Sequence, residues 1–454
     1  FRRVLFRSGV NDIALMSYEE KKGLFGGEVP ELYGFDYYAG GIFIMPDYEQ
    51  QLSEQNNPIS SSLFVPEWDW RNRHGKNWMT PVKNQGSCGS CWAFSAIGAL
   101  EAYINLYYNQ LINYDLSEQE LVTCFKGNGC SGGNPLLALN FIKNNGIVQE
   151  DCFPYTATNN SCENKCLNPS EIISIQNYLH LNRDEAELKQ ALFNSPLCFG
   201  ISSWWHALLL SGYKQISAGD RYYYAINNSL YSTITIPAGH NLIGQTAWLL
   251  KNSWGENSAW GNNGYGYVVL NLNNSYLLGS ITGRVSSMIY DDNDIICEDR
   301  DGDGYYNWGV GQRPASCPSW APDEKDGDDS DYSKGPLTSY GYLTEINPDS
   351  NDTIYIEENA SYNSQMYLHK HVVIRNSSTL SISGFINCYN GVSITIEPGS
   401  KLIIDRGELR NIYIYPQIGS SIELHNNGRI ILNKTKRFVV PKGALILNDY
   451  GTIK

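Results

Sequence analysis

Residues 85–95 read Gln-Gly-Ser-Cys-Gly-Ser-Cys-Trp-Ala-Phe-Ser and carry the strongest chemical signal in the chain. Cys88 and Cys91 lie in a loop of small residues that leads into a helix, which the apolar spacing predicts over residues 92–109. A helix N-terminus stabilises a thiolate, because its unsatisfied N–H groups and its dipole favour negative charge. Cys91 is therefore a candidate nucleophile, although the cysteine count alone equally allows both sulfurs a structural role in disulfides.

The composition predicts a folded protein of two or three domains. The 454 residues are 42% hydrophobic and 18% charged, which excludes global disorder. The apolar runs are far too short to cross a bilayer, so we expect no membrane span. The net charge of −14 gives the chain no field that would attract a phosphate backbone, which argues against a nucleic-acid partner.

The cysteines indicate an oxidising compartment. Seven of the eleven lie between Cys88 and Cys166 without the spacing of a zinc site, which favours disulfides and leaves one odd thiol over. The chain begins with Phe1, and residues 1–8 have too few apolar side chains for a signal peptide, so we interpret it as a fragment whose export signal is absent. A secreted or cell-surface location is thus predicted from cysteine usage alone.

Composition divides the chain into four segments. Residues 1–64 lack a dense apolar core, and residues 65–290 have the helix and strand patterns of a mixed α+β domain. Residues 291–336 hold thirteen acids and four bases, and residues 337–454 consist of short β runs separated by Gly or Asn turns. In the second segment we expect helices at 92–109, after a capping box at 117–120, and at 135–144, and strands at 199–201, 207–213, 247–252 and 265–270.

Four ordered motifs within residues 65–270 resemble those of the papain-like cysteine proteases, the C1 family that includes the cathepsins. The segment at 85–95 matches the family's Cys-Gly-Ser-Cys-Trp catalytic loop. The other three are Gly-Cys-Ser-Gly-Gly at 129–133, His-Ala-Leu-Leu-Leu-Ser-Gly-Tyr at 206–213, and Lys-Asn-Ser-Trp-Gly at 251–255, followed by Trp260-Gly261 and Gly264-Tyr265. The resemblance implies a two-lobed fold with a helical lobe and a β-barrel-like lobe.

The resemblance also implies a role for each matching residue. Cys91 would be the nucleophile, His206 its base, and Asn252 the residue that orients the imidazole ring. Gln85 would donate a hydrogen bond to the oxyanion that forms during the reaction. The implied activity is hydrolysis of a peptide or protein substrate through a thioester acyl-enzyme, with no cofactor for catalysis.

The substrate cleft and the disulfides are likewise implied by the resemblance. Gly132 and Gly133 lack a Cβ and would admit an extended substrate backbone. Trp254 would cover the histidine–asparagine contact, and Trp260 would belong to the same cleft. Among the cysteines, Cys88 would pair with Cys130, Cys124 with Cys162 or Cys166, and Cys152 with another cysteine of that loop.

Two departures from the family's pattern affect the histidine. Cys91 and His206 are 115 positions apart, fewer than usual, whereas His206 and Asn252 are 46 apart, many more than usual. Residues 213–246 would be an insertion between two adjacent strands, and the loop before His206 would be trimmed. His240 is a rival base, and we favour His206 because the apolar residues that follow it can form a buried strand.

The acidic segment contains Asp-Arg-Asp-Gly-Asp-Gly at residues 299–304, in which carboxylates alternate and glycine occupies the sixth position. This spacing turns successive oxygens toward a hard cation, although an EF-hand would need Glu where this chain has Val310. The segment resembles thrombospondin type 3-like calcium repeats, with a solvated acidic linker as the alternative, and Cys297 and Cys317 would staple it. The expected ligands of a structural Ca²⁺ are Asp299, Asp301, Asp303, Asp326, Asp328 and Asp331.

The β runs of the tail recur about every ten residues, a spacing that suits a sandwich or a β-solenoid. Gly-Ser-x-Leu/Ile-x-Ile/Leu occurs at residues 399–404 and again at 419–424, which favours the solenoid. The tail would attach the protein to a surface or a glycan, or act as a spacer. Strands are expected at 367–375, 379–382, 393–396, 401–404, 412–415, 421–424, 429–432 and 444–447.

The leading prediction is a secreted, calcium-stiffened papain-like endopeptidase that is made as a zymogen. Residues 10–20 are similar to the end of the family's inhibitory propeptide, and maturation cleavage would fall near Val65. Two alternatives stay open. One is an adhesive or binding protein whose protease-like domain has lost activity, and the other is a peptide ligase that uses the same thioester.

Overall fold

The chain, represented by a computed structural model, divides into two compact units. The first comprises the described residues up to 296 with 308–314 and 341, and the second comprises 297–307, those of 315–338 and those from 342 onward. Residues 10–20, which resemble a propeptide, lie outside the described residues. In the described part of the chain, no helix is long and apolar enough to cross a membrane. The structure describes residues 41–45, 64–125, 129–225, 231–256, 260–318, 321–331, 333–338, 341–342, 353–363, 365–368, 371–388, 392–433 and 438–454.

Among the described helices of the first unit, α1 (Cys91–Tyr108) is wholly buried, and its bounds lie within one residue of those that the apolar spacing predicts. The next helix begins after Ser117, whose Oγ accepts the N–H of Glu120 at 3.0 Å. The predicted capping box is only half formed, because the Glu120 carboxylate accepts the N–H of Val148 instead. The other α-helices are α2 (Glu118–Cys124), α3 (Pro135–Asn145) and α4 (Glu185–Leu192).

The described strands of the first unit form one mixed sheet. They are β1 (Ile42–Ile44), β2 (Glu67–Asp69), β3 (Ile147–Val148), β4 (Ile172–His180), β5 (Leu197–Ile201), β6 (His206–Gln215), β7 (Arg221–Ala225), β8 (Tyr231–Thr235), β9 (Thr246–Lys251), β10 (Tyr265–Val269) and β11 (Ser275–Ser286). Their order is β3-β4-β11-β5-β6-β9-β10-β1-β7-β8, with β2 paired to β6. Only β1 is parallel to its described neighbours, β10 and β7.

Two adjacent strands of this sheet bring the motifs together. His206 begins β6, and Asn252 directly follows β9. The strands are antiparallel, with Leu210 opposite Leu250, so the start of β6 lies beside the end of β9. The segment predicted as an insertion between them contains the hairpin of β7 and β8.

The second unit contains a β-solenoid of about four turns, which confirms the preference for a solenoid over a sandwich. Its strands stack in three parallel ladders, β14-β17-β20-β22, β15-β18-β21-β23-β25 and β16-β19-β22-β24-β26, after the short strands β12 and β13. The strands are β12 (Leu337–Thr338), β13 (Gly341–Tyr342), β14 (Thr353–Ile356), β15 (Ala360–Tyr362), β16 (Gln365–Leu368), β17 (His371–Ile374), β18 (Thr379–Ile382), β19 (Phe385–Cys388), β20 (Ser393–Ile396), β21 (Lys401–Asp405), β22 (Glu408–Pro416), β23 (Ser421–His425), β24 (Arg429–Leu432), β25 (Leu445–Asp449) and β26 (Thr452–Ile453).

The solenoid core is built from alternate residues of each strand. In β17, Val372 and Ile374 point inward, and the parallel register stacks Val372 on Ile394 and Ile414 of the next two turns. The prediction of one strand over residues 367–375 is wrong, since β16 and β17 belong to different ladders. A solenoid chain changes face between such strands, and a period-two pattern does not mark that corner.

Candidate active site

Cys91 is the first residue of α1 and is 4% exposed. Its Sγ accepts the backbone N–H of Ala207, the second residue of β6, at 3.5 Å. Ser90 does not cap the helix with its side chain, and its hydroxyl lies 2.6 Å from the hydroxyl of Tyr155. The N–H groups of Cys91 and Trp92 therefore remain available to favour a thiolate at the helix N-terminus.

His206 is fully buried and is oriented by Asn252. The imidazole Nε2 lies 2.8 Å from Asn252 Oδ1, and that oxygen also accepts the backbone N–H of Ser253 at 2.8 Å. The second contact fixes the amide orientation, so Nε2 must be the protonated nitrogen and Nδ1 is the one that can accept a proton. The ring of Trp254 packs on the imidazole with a centroid separation of 5.3 Å.

Gln85 is fully buried beside this pair. Its Oε1 accepts from the Ser253 hydroxyl at 2.6 Å, and its Nε2 donates to the Cys88 carbonyl at 2.9 Å. An amide nitrogen carries two hydrogens, and the Cys88 carbonyl accepts one of them. Ser253 therefore links Gln85 to Asn252, a role whose only sequence signal is its place inside the Asn-Ser-Trp-Gly motif.

Burial opposes both charges at the cysteine–histidine pair. Removal from water raises the pKa of Cys91 to about 11, even though backbone N–H groups act in the opposite direction. The same cause lowers the pKa of His206 to about 4, although the hydrogen bond that His206 donates to Asn252 acts to raise it. In this environment desolvation opposes the stabilisation of a thiolate that the helix N-terminus favours.

The Cys88–Cys130 disulfide links the glycine-containing segment 129–133 to the segment 85–91 that leads into Cys91. Gly132 has a φ of 105°, a conformation that favours glycine. A Cβ on Gly133 would lie 2.3 Å from the Trp92 indole, so this glycine is needed for packing against Trp92. Packing against Trp92 thus requires glycine at position 133, whether or not Gly133 also admits substrate as expected.

His240, the rival base, and Trp260, the second tryptophan expected in the cleft, have surroundings that differ from those of His206. His240 lies in the turn after β8, where its Nδ1 accepts the backbone N–H of Leu242 at 3.2 Å. This contact lies within the turn that holds His240, whereas His206 contacts Asn252. Trp260 is 1% exposed, so it lies in the interior of the first unit.

The disulfides resolve the pairing that the sequence left open. They join Cys124 to Cys162 and Cys152 to Cys166, and the staple Cys297–Cys317 is present. Three cysteines are not in disulfides, whereas an odd total of eleven required at least one. They are Cys91, Cys198 and Cys388, all buried.

A cluster of charges around Lys83, with two buried carboxylates, was not predicted from the sequence. Lys83 Nζ contacts Glu101 at 2.8 Å, Asp115 at 2.7 Å and Glu118 at 3.0 Å. Burial raises the pKa of Glu118 to about 8, although Lys83 acts to lower it. A cavity of about 980 Å³ opens beside this cluster, and its lining does not include Cys91.

The acidic residues of the second unit form two overlapping groups. Asp299, Asp301 and Asp303 make one, and Asp301, Asp326 and Asp329 make the other, each with carboxylate oxygens within 4.8 Å of one another. Asp303 and Asp326 are 0% and 1% exposed. For both, Oδ2 has no hydrogen-bond donor among the described residues. Buried carboxylates without donors fit the chemistry of an oxygen-binding cation.

Two of the expected calcium ligands lie outside these groups. The Asp328 carboxylate accepts from the Ser330 hydroxyl at 2.6 Å, and the Asp331 carboxylate accepts from the Ser333 hydroxyl at 2.7 Å. The structure brings Asp329 into the second group in their place. Alternate spacing identified the segment, but the local Ser contacts decide which carboxylates face inward.

Comparison with known proteins identifies the family. The model of the papain family cysteine proteases matches residues 64–283. Zingipain-1 of Zingiber officinale is 37% identical over 216 residues, which cover 45% of this chain and 87% of that protein. Pro-cathepsin H of Bos taurus is 30% identical over 271 residues, which cover 58% and 72% of the two chains. The chain belongs to the papain family of cysteine proteases.

A solved structure gives a weaker match. The procathepsin L2 proteinase from the larval midgut of Tenebrio molitor aligns with a TM-score of 0.39 and 28% identity, over 60% of this chain and 83% of that one. Family membership makes the chain a cysteine-type peptidase that acts on peptide or protein substrates. Proteases of this family need no cofactor for catalysis.

Proposed function

We propose that Cys91, His206 and Asn252 hydrolyse peptide bonds of an extended substrate as an endopeptidase. The observation that carries this proposal is the 2.8 Å contact between His206 Nε2 and Asn252 Oδ1. The hydrogen bond from the Ala207 N–H to Cys91 Sγ supports it, because Ala207 is the neighbour of His206 in β6. The contact of His240 within its own turn favours His206 as the base.

The mechanism follows from the tautomer of His206. Its Nδ1 takes the proton from Cys91 as Sγ attacks the substrate carbonyl, and Asn252 stabilises the imidazolium that forms. Gln85 Nε2 and the backbone N–H of Cys91 donate to the oxyanion. His206 then protonates the leaving amine, which yields the thioester. In the second half, His206 takes a proton from water, hydroxide attacks the thioester, and the proton returns to Cys91.

The burial of the pair supports synthesis as a zymogen. Desolvation raises the pKa of Cys91 to about 11 and lowers that of His206 to about 4, and both shifts disfavour the reactive ion pair. Exposure of the site to water on maturation would relieve the desolvation that opposes both charges. The four disulfides support a secreted or cell-surface location.

Thiol trapping tests the catalytic proposal. The chain matured with a second protease is incubated with a peptidyl epoxide, and the adduct is located by peptide mass spectrometry. We expect one adduct on Cys91, with at least tenfold slower labelling of His206→Ala than of the matched variant His240→Ala. Failure of the matured protein to react at Cys91 would favour the inactive binding protein.

A ligase would also react with the epoxide, so a second assay is needed. The matured protein is given a peptide library with and without a high concentration of an amine nucleophile. Hydrolysis products in both conditions support the endopeptidase. Products that appear only with the amine would support the ligase instead.

We also propose that the acidic groups of the second unit bind Ca²⁺ and stiffen it. The proposal is supported by Asp303 and Asp326, whose buried Oδ2 atoms have no donor among the described residues. Asp299, Asp301 and Asp329 would complete the oxygen ligands. The ion would supply charge compensation to the carboxylates and would have no part in peptide hydrolysis.

Calorimetric titration with Ca²⁺ tests this ligand set. We expect Asp303→Asn and Asp326→Asn to weaken binding at least tenfold, because each removes a buried anionic ligand. Asp328→Asn and Asp331→Asn are the matched controls, and their affinity should stay within about twofold. Loss of binding in Asp328→Asn and Asp331→Asn, with binding kept in Asp303→Asn and Asp326→Asn, would overturn this ligand set.

For the β-solenoid we propose attachment of the protease to a surface or a glycan. Its parallel ladders align partly exposed side chains of successive turns in rows, a surface suited to repetitive ligands. A glycan array probed with the C-terminal unit and the full chain tests this. Equal, background-level signals on every glycan and on cell-wall preparations would leave a spacer role.

A further inference from the structure

Residues 41–45 contain a strand that lies inside the sheet of the first unit. β1 pairs in parallel with β10 on one side and with β7 on the other. Ile44 is opposite Val269 of β10, Phe43 is opposite Tyr223 of β7, and the N–H of Met45 donates to the Val269 carbonyl at 3.0 Å. The strand is therefore hydrogen-bonded along both edges.

The side chains of this segment are buried on both faces of the sheet. Phe43, the most exposed together with Met45, is only 3% exposed. Its ring faces Trp204, with the ring centroids 6.1 Å apart. On the opposite face, Ile42 and Ile44 join an apolar cluster made of Ile216, Ile236, Leu242, Ala247 and Val269.

Loss of this segment would be costly to the first unit. It would expose four apolar side chains and an apolar cluster to water. It would also leave β7 and β10 with unpaired backbone groups at two new sheet edges. A cut anywhere in residues 46–63 breaks the chain after β1 but removes none of these contacts.

We propose that the slot between β7 and β10 is a second peptide-binding site, distinct from the Cys91 site, and that it retains residues 41–45 as a non-covalent strand after the chain is cut within residues 46–63. The ligand class is an extended apolar peptide with large side chains on both faces, here Ile-Phe-Ile-Met. Maturation near Val65 would thus yield a two-chain enzyme.

The slot also gives a function to the insertion that departs from the family pattern. One wall of the slot is β7, which belongs to the hairpin inserted between β6 and β9. The catalytic proposal assigns no role to this hairpin. Parallel pairing with β1 makes it a clamp that holds the peptide against β10.

A cutting experiment on the full chain tests the slot. In a Cys91→Ala background, part of residues 46–63 is replaced by the recognition sequence of a sequence-specific protease. After complete cleavage, native mass spectrometry and size-exclusion chromatography should show both fragments in one complex that separates only in denaturant. Free elution of the N-terminal fragment, with the larger fragment keeping its thermal midpoint, would overturn the proposal.

Matched isoleucine variants locate the contact. Ile44→Asp places a charge in the apolar cluster and should speed dissociation of the cut fragment at least tenfold. Ile243→Asp, in the insertion at residues 213–246 and 38% exposed, should retain the fragment like the parent. If Ile44→Asp does not fold before cutting, the parent experiment still decides. Because binding is measured in a protein without its nucleophile, failure here leaves the catalytic proposal untouched.

Discussion

The two units differ in how far apart in sequence their internally contacting residues lie. In the first, residues far apart in sequence converge, and Ala207 contacts Cys91 across 116 positions while His206 contacts Asn252 across 46. In the solenoid, the ladder strands pair with strands about one turn away along the chain, as Lys401 of β21 does with Ser421 of β23. Long-range convergence can assemble unlike groups into a site, whereas repetition stacks like groups into a core.

The free thiols of the two units offer the largest contrast. Cys91→Ala should reduce kcat/KM for a fluorogenic peptide by about 10⁶-fold, the order seen when a protease loses its nucleophile. Cys388→Ala should leave it within about twofold, because this sulfur lies in the apolar core of the solenoid. If C91A hydrolyses the peptide faster than the epoxide-blocked parent does, Cys91 is not the nucleophile and the two thiols do not differ as predicted.

Core truncations sharpen the comparison next. Ile404→Ala in the solenoid and Leu210→Ala in β6, both fully buried, should each lower the free energy of unfolding by ~2–5 kcal/mol. Only Leu210→Ala should also lower hydrolysis, because β6 carries His206. Thermal unfolding and peptide hydrolysis are measured on both. A fall in hydrolysis with Ile404→Ala would show that the catalytic strands depend on the solenoid core.

Within the first unit, some elements could be predicted from the sequence and others could not, for a physical reason. α1, β6 and β9 are continuous apolar segments, so their local pattern was enough. β4 is partly exposed with adjacent polar residues, and β1 has only three residues, so neither has a clear period of its own. These strands exist because of distant partners, which a local pattern does not contain.

The same limit applies to the candidate sites. Motifs pointed to Cys91, His206, Asn252 and Gln85 as candidates, because each motif is a short continuous stretch of sequence and needs no distant information. The link through Ser253 and the neutral state of the pair were missed, since both depend on contacts and burial set by the whole unit. Alternate acidic spacing likewise could not decide among the inward-facing carboxylates.

Acid should weaken the first unit through His206. Its pKa is about 4 in the folded chain and ordinarily 6.5, so the unfolded chain binds more protons between these values. Stability conferred by the neutral ring is therefore lost as pH falls through this window, by about 2 kcal/mol between pH 7 and pH 5. Urea unfolding of the parent and of His206→Gln at both pH values isolates this contribution. An identical pH dependence in the two proteins would contradict the burial of a neutral ring.

The smallest contrast compares one type of ion pair in the two units. In the first, Glu120 is almost buried, and it accepts from Lys165 Nζ at 2.7 Å and from the Val148 N–H at 2.8 Å. In the solenoid, Glu423 pairs with the half-exposed Lys401 at 3.1 Å. Glu120→Gln should cost ~1–3 kcal/mol of unfolding free energy, because its buried partners lose an anionic acceptor.

Glu423→Gln should cost less than about 0.5 kcal/mol, because water screens the exposed pair and can replace the lost contact. Raising the salt concentration should shrink even this effect, while the cost of Glu120→Gln should change little. Denaturant unfolding at low and high salt measures both. Equal losses of unfolding free energy in the two variants would mean that the parallel ladder shields Glu423 from water as well as the interior of the first unit shields Glu120. Ion pairs would then not distinguish the long-range core of the first unit from the repeated surface of the solenoid.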